Sequence, residues 1–252
     1  MARVEPLPGE PAAVADLDGE RALVVADYHA GIEAGLRREG VELPSRAPQR
    51  RATLLGLVDR QAPDRLVVLG DLNDAIGDPG RAERDEVTAL FEALPPDLAV
   101  TVAKGNHDGD LEALLADVPQ SVSVAPGHGV RLGAVGFAHG HTWPNPDVLA
   151  ARVVCVGHEH PVVRLEDEVG GRRVERIWLR GEIAPEPFEE FHGRDLDLTG
   201  ELVVFPGFND LSGGTWVNVS DADFLAPFLP AGLDDGQAYL LDGTRLGDFR
   251  RV

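Results

Sequence analysis

Apolar runs that break on an acid or a histidine set the rhythm of this chain. RALVVAD (21–27), RLVVLGD (65–71) and LAVTVAKGN (98–106) each read as a short buried strand ending in a polar turn. Helical patterning separates them. Around 47–60, Leu54, Leu55 and Val58 share one face, with Arg50, Arg51 and Arg60 supplying charge. In ERDEVTALFEAL (83–94), Val87, Leu90, Phe91 and Leu94 stand at i, i+3, i+4 and i+7, an amphipathic helix. DLEALLADV (110–118) repeats the theme, with Leu111, Leu114, Leu115 and Val118 inward and Asp110 as N-cap. The order β, α, β, α, β, α predicts a largely parallel sheet covered on both faces.

The second half predicts short strands at 121–125, 130–138 and 152–156, with a brief helical piece after Pro146. VVRLED from 162, Gly170–Gly171 and RRVERIWL predict a hairpin. GELVVFPG (200–207), TWVNVS (215–220), QAYLLDG (237–243) and LGDFRRV (246–252) read as further strands or edges. Residues 1–20, rich in Pro, Gly, Ala and Asp, read as an irregular lead-in, and 181–199 as an irregular excursion. No linker divides the chain cleanly, so 21–252 is expected to form a single domain, with a motif core at 21–165 and closing strands over 166–252.

Composition narrows the class. No run of about 18 apolar residues is present to span a membrane, and MARVEPLPGEP lacks the basic start and apolar core of a signal peptide. The single cysteine, Cys155, excludes a disulfide framework and a thiolate metal site, and suits a reducing, cytoplasmic setting. The 252 residues carry 43 Asp and Glu against 23 Lys and Arg, a formal net charge of -20, and Lys104 is the only lysine. These charges are dispersed rather than gathered in a tail. Such a surface repels nucleic acid at low salt. It fits work in concentrated salt, where the Debye length shrinks to about 3 Å at 1 M. The near-total loss of lysine resembles haloarchaeal proteins.

The chemistry gathers where the apolar runs stop. DYH (27–29), GDLND (70–74), GNHD (105–108), AHGH (138–141) and GHEH (157–160) hold six of the eight histidines; His128 and His192 lie elsewhere. Taken singly, each has a plain reading as a cap, an Asx-turn or a polar hairpin. Together they do not, since sheet packing asks for no such series, and buried carboxylates and imidazoles cost several kcal/mol, on the order of 2–7 each, unless paired or ligated. In an open α/β sheet the carboxyl ends of parallel strands converge on one crevice. Carboxylates and neutral imidazoles meeting there suit Mn, Fe, Zn or similar ions, with more ligands than one tetrahedral ion uses. Two ions sharing a carboxylate would use them, a common design for phosphoester hydrolysis.

In order and spacing these five motifs resemble those of the calcineurin-like metallophosphoesterase superfamily over roughly 20–165. PGFNDLSGGTWVN (206–218) and FLAPFL (224–229) resemble the closing segment of its archaeal and bacterial phosphoesterases, some of whose relatives are encoded beside a helicase and a ligase. The resemblance implies an α/β fold, a sandwich of two mixed β-sheets flanked by helices. It implies two divalent ions, manganese first, with Fe, Ni, Co or Zn as alternatives. Asp27, His29 and His160 would hold one ion and Asn106, His139 and His158 the other, with Asp71 bridging. His107 would face the substrate, oriented by the Asp74 carboxylate, and His141 would stand beside the ligands. The implied activity is phosphoester hydrolysis by a metal-bridging hydroxide, of phosphodiesterase or nuclease-like type. Alternatives are a phosphomonoesterase or nucleotide phosphatase, or a non-catalytic, metal-stabilised partner subunit of a DNA-processing complex. A helicase is the partner implied. Ala75 stands where the superfamily often has arginine, leaving Arg131 and Arg152 as candidate phosphate clamps. Glu159 stands where Thr or Ser is common. Phe208 and Trp216 could stack a base or fill a core, and FLAPFL reads as core or a dimer contact.

Overall fold

The computed structural model describes residues 3–166, 170–219 and 223–252. The first sheet begins with β1 (Val4–Pro6) and β2 (Ala12–Asp16), an antiparallel hairpin where an irregular lead-in is expected. Its small residues explain the difference: Ala13 and Ala15 carry too little apolar signal to read as a strand, yet both are fully buried. β2 pairs antiparallel with β3 (Arg21–Val25), and β3, β4 (Arg65–Val68), β5 (Ala99–Ala103) and β6 (Val122–Ala125) follow in parallel.

The crossovers between the parallel strands carry α1 (Ile32–Arg38), α2 (Ala47–Gln61), α3 (Arg81–Ala93) and the single turn α4 (Leu111–Leu114). α4 is shorter than the expected 110–118 helix, and the Asp110 side chain caps nothing. Pro119 disfavours the helical conformation just before it.

The second sheet runs in the order β14, β13, β11, β12, β9, β8, β7, with β10 paired to β11. Its members are β7 (Val130–Leu132), β8 (Val135–Ala138), β9 (Val153–Val156), β10 (Val162–Glu166), β11 (Arg172–Ile183), β12 (Glu201–Val204), β13 (Leu233–Leu240) and β14 (Arg245–Asp248). The 130–138 run is thus a tight hairpin, and the β10–β11 hairpin forms with 167–169 outside the described residues. β8, β9 and β12 are parallel and the remaining pairs antiparallel. α5 (Pro146–Leu149) starts on an Asn145 cap, whose side chain accepts from the Asp147 and Val148 amides. Within the expected irregular excursion, Pro185 and Pro187 open α6 (Pro185–His192), which buries Phe188. TWVNVS makes only the bridge Val162–Trp216 among its described residues; Ser220 lies outside them.

The apolar runs are continuous because each strand buries both faces. Leu23, Val25, Leu66, Val68, Val100 and Val102 pack beneath α2 and α3. Their neighbours Ala22, Val24 and Val67 meet Phe137, Val153, Cys155, Trp178 and Val203 of the second sheet. The other face of that sheet, with Val154, Val156, Leu179 and Val204, packs against Val148, Phe188 and Phe228. One cover of the parallel sheet is therefore helical and the other is a second sheet. Two mixed sheets flanked by helices result. No helix among the described residues is long and apolar enough to cross a membrane.

Candidate metal centre

Register brings the five turns together. Val25 lies level with Val68 and Val68 with Val102 in the first sheet, while Ala138, Val156 and Val204 are level in the second. The chain therefore leaves both sheets at one rim, where Asp27, Asp71, Asn106, His139 and His158 follow. Cross-links seal the rim: the Gly157 amide donates to the His139 carbonyl at 2.8 Å, and His139 Nδ1 to the Leu69 carbonyl at 2.7 Å.

The turns adopt backbone that side chains ordinarily avoid. Asp27, His29, Asp71, His158 and His160 all have φ between 43° and 69°, five of the eight non-glycine residues of positive φ among those described. Left-handed backbone costs such residues about 1–2 kcal/mol each, and it concentrates at sites where geometry outweighs stability. Gly70, at φ 75°, lies where a Cβ would strike the His139 ring, so glycine is required there.

Two groups of donor atoms result, each within 4.8 Å of one another: Asp27, His29 and His160, and Asp71, His139 and His158. In the first, His160 Nε2 is 3.3 Å from Asp27 Oδ1 and 3.4 Å from His29 Nε2. In the second, His139 Nε2 is 3.3 Å from Asp71 Oδ2 and 3.1 Å from Asn106 Oδ1. Asp71 links them, its Oδ2 also lying 3.8 Å from His29 Nε2. Hydrogen bonds select the nitrogens that face inward. His139 Nδ1 is committed to Leu69 and His160 Nδ1 to the Gly213 carbonyl at 2.9 Å, so Nε2 is the free nitrogen on both rings.

Asp74 departs from expectation. Its carboxylate lies 3.3 Å from His29 Nδ1, whereas His107 Nδ1 bonds the Asp74 backbone carbonyl. His107 is thus held by main chain, with its amide donating to Asp71 Oδ1 at 3.0 Å and Nε2 3.9 Å from Asp71 Oδ2. The His141 ring stands 5.3 Å from that of His139 and 6.1 Å from that of His158, outside both donor groups.

Carboxylates and imidazoles in this cluster shift one another's ionisation. Burial works against ionising the Asp71 carboxyl, but His139, His29 and His107 outweigh it and hold its pKa below the usual range; Asp27 is lowered by His160 and His139 in the same way. Burial also opposes a charged His139 ring, yet Asp71 and Asp27 push its pKa up to about 9. His158 goes the other way, down to about 4, through burial and the neighbouring His139. Two buried carboxylates thus face imidazoles, and no arginine or lysine among the described residues pairs with either. Oxygen and imidazole donors converging in this way fit divalent cations.

Several supports were not read from sequence. Asp108 is fully buried, its carboxylate accepting from the Leu72, Asn73 and Gly105 amides, and so staples the GDLND turn to the GNHD turn. Asn209 donates to the Tyr28 and His29 carbonyls, pinning DYH. Their signal was an acid or amide beside a motif, indistinguishable in sequence from an ordinary turn residue.

The centre opens into a cleft of about 850 Å³ that His107, His158, His160, Arg164 and Trp216 help to line. Arg131 and Arg152 do not line it. Arg131 instead bonds the Gly133 carbonyl and approaches Asp147. Phe208 is buried against the Tyr28 ring, and the FLAPFL segment buries Ala226, Phe228 and Leu229 while exposing Leu225.

The class these features define is an α/β sandwich of two mixed sheets with a rim of converging donors. Among solved structures, the fold is shared with the nuclease MPE of Pseudomonas putida, at a TM-score of 0.55 and 20% identity over 96% of this chain and 100% of that chain. A weaker likeness, TM-score 0.33 and 20% identity over 58% of this chain and 73% of that chain, is to YfcE, a phosphoesterase from E. coli. No family model and no curated protein matches the sequence.

Proposed function

We propose that this protein is a metal-dependent hydrolase of phosphoesters, acting on diesters in the manner of a phosphodiesterase or nuclease. The observation that carries the reading is the pair of donor groups joined through Asp71 at the mouth of a cleft that His107 lines. Asp27, His29 and His160 would hold one ion and Asn106, His139 and His158 the other, with Asp71 the ligand available to both. The ions supply Lewis acidity and a water of lowered pKa when bound.

The remaining work belongs to the chain. His107, anchored through Nδ1 to the Asp74 carbonyl, directs Nε2 to the substrate and in its protonated form gives that proton to the leaving oxygen. The Asp74 carboxylate lies 3.3 Å from His29 Nδ1 without a hydrogen bond between them, and the Asp74 carbonyl is what holds His107. Asn106 adds a neutral oxygen, which spares an anionic substrate one more negative charge. The similarity of fold to a nuclease favours diesters over monoesters. Manganese is the ion this reading expects, in a cytoplasmic setting, with a helicase as the partner that a pull-down would capture. The dispersed acidic charge suits concentrated salt.

The test is hydrolysis of p-nitrophenyl phosphate, bis(p-nitrophenyl) phosphate and single-stranded DNA with Mn, Ni, Co, Zn or Mg, in molar salt. Cleavage of the diesters ahead of the monoester is expected. Monoester cleavage alone would replace the reading with that of a phosphatase, and no cleavage with any ion would replace it with a metal-stabilised scaffold.

A further inference from the structure

Glu159 separates His158 from His160, both of them metal-ligand candidates, and is fully buried. No arginine or lysine among the described residues pairs with it. Its carboxylate instead gathers three neutral donors from distant segments: the Thr215 hydroxyl at 2.5 Å, the Leu225 amide at 2.9 Å and the Ala226 amide at 3.0 Å. Main chain reinforces the join, as the Thr215 amide donates to the Glu159 carbonyl and the Val162 amide to the Thr215 carbonyl. One side chain thus ties two stretches of the C-terminal region to the turn carrying His158 and His160.

Those stretches form a wall of the cleft. Trp216 and Leu225 line it while remaining 39% and 58% exposed, beside Leu211 and Val219. Large apolar side chains left in solvent next to a polar centre mark a binding surface. Its charge restricts the occupant. Among the described residues Arg164 is the one arginine or lysine lining the cleft, against the acids Glu39, Asp71, Asp74, Glu159 and Asp223. That balance opposes a long polyanionic backbone and admits an uncharged flat ring.

We propose that Glu159 is a positioning residue that sets this wall against the metal centre, and that Trp216 there stacks a nucleobase joined to the reacting phosphate. The proposal rests on the phosphodiester reading above and names the part of the substrate the site selects. Binding energy is drawn from one base, which suits a small or single-stranded substrate whose bases are unpaired.

The experiment compares two esters with the same leaving group, thymidine 5′-(p-nitrophenyl phosphate) and methyl p-nitrophenyl phosphate, in wild type, Trp216→Ala, Glu159→Ala, Glu159→Gln and the double alanine variant. Loss of stacking should raise KM for the thymidine ester by about tenfold in Trp216→Ala. The methyl ester, kcat and bound manganese should be little changed. Glu159→Ala should reproduce this selective effect and add nothing in the double variant. Glu159→Gln, which keeps an acceptor oxygen, should lie between, and it carries the positioning claim should the alanine variant not fold. Equal losses on both esters, or loss of manganese in the Glu159 variants, would reduce Glu159 to a prop for the ligand turn and overturn the proposal. Thymidine 5′-monophosphate should also quench tryptophan emission in wild type and not in Trp216→Ala. Quenching without hydrolysis of either ester would sink the phosphodiester reading and leave the wall standing; hydrolysis that ignores Trp216 would do the reverse.

Discussion

Two buried charge clusters lie on opposite sides of the DYH turn, and they solve the same problem differently. Beneath α1, α2 and α3, Arg50 bonds Glu86 through Nε at 2.9 Å and Nη2 at 2.8 Å, and reaches Glu33 at 3.3 Å. The same carboxylates also accept the Gly31 and Arg46 amides, and the guanidinium lies 5.4 Å from the centre of the Tyr28 ring. One guanidinium is shared by two carboxylates, and burial together with Glu33 raises the pKa of Glu86. At the strand rim, Asp27 and Asp71 meet only imidazoles and amides, and the donors point at one another. Carboxylates tied by a guanidinium hold helices together, whereas carboxylates and imidazoles that converge with no arginine or lysine among the described residues offer their donor atoms to a metal ion.

Asp71→Ala should break the contrast most completely. Removing the shared carboxylate should leave less than one ion per chain by elemental analysis and no measurable cleavage of bis(p-nitrophenyl) phosphate; two tightly held ions in that variant would contradict the shared ligand. Next in size, His107→Ala should lower kcat by about 10²–10⁴-fold with the ions retained. Equal loss of metal and activity would move His107 into the ligand set.

Arg50→Ala probes the arginine-tied cluster. Two carboxylates left unpaired should cost about 3–5 kcal/mol of stability, lowering Tm by roughly 10 °C for a chain of this size. The folded variant should still bind its ions, since the two clusters share no hydrogen bond. Chelation should have the smallest effect. EDTA should lower Tm by a few degrees in wild type, because ions bind the folded state alone, and by the same amount in Arg50→Ala. A chelation effect that vanished in Arg50→Ala would show the clusters to be coupled.

Much of this was legible before any fold. Apolar runs over 21–27, 65–71 and 98–106 marked strands because both their faces are buried, and the amphipathic period over 83–94 marked α3 because only one of its faces is. β1 and β2 were not legible, since alanines pack between close sheets without leaving a strong apolar pattern. The 215–220 run looked like a strand because it is rich in Trp and Val, but its described residues make only the Val162–Trp216 bridge and the Trp216 side chain lines the cleft. α6 was hidden by two prolines that break other helices and begin this one.

By itself the sequence determined the residue types and their placement: acids, amides and imidazoles at the ends of five apolar runs, with no thiolates to compete. That much follows from local chemistry, since period and burial decide where strands stop. Which atoms meet was decided only in three dimensions. The carbonyl, not the carboxylate, of Asp74 holds His107, and Glu159 binds the far C-terminal wall, because hydrogen bonds between turns depend on the register of two sheets that the chain order does not encode.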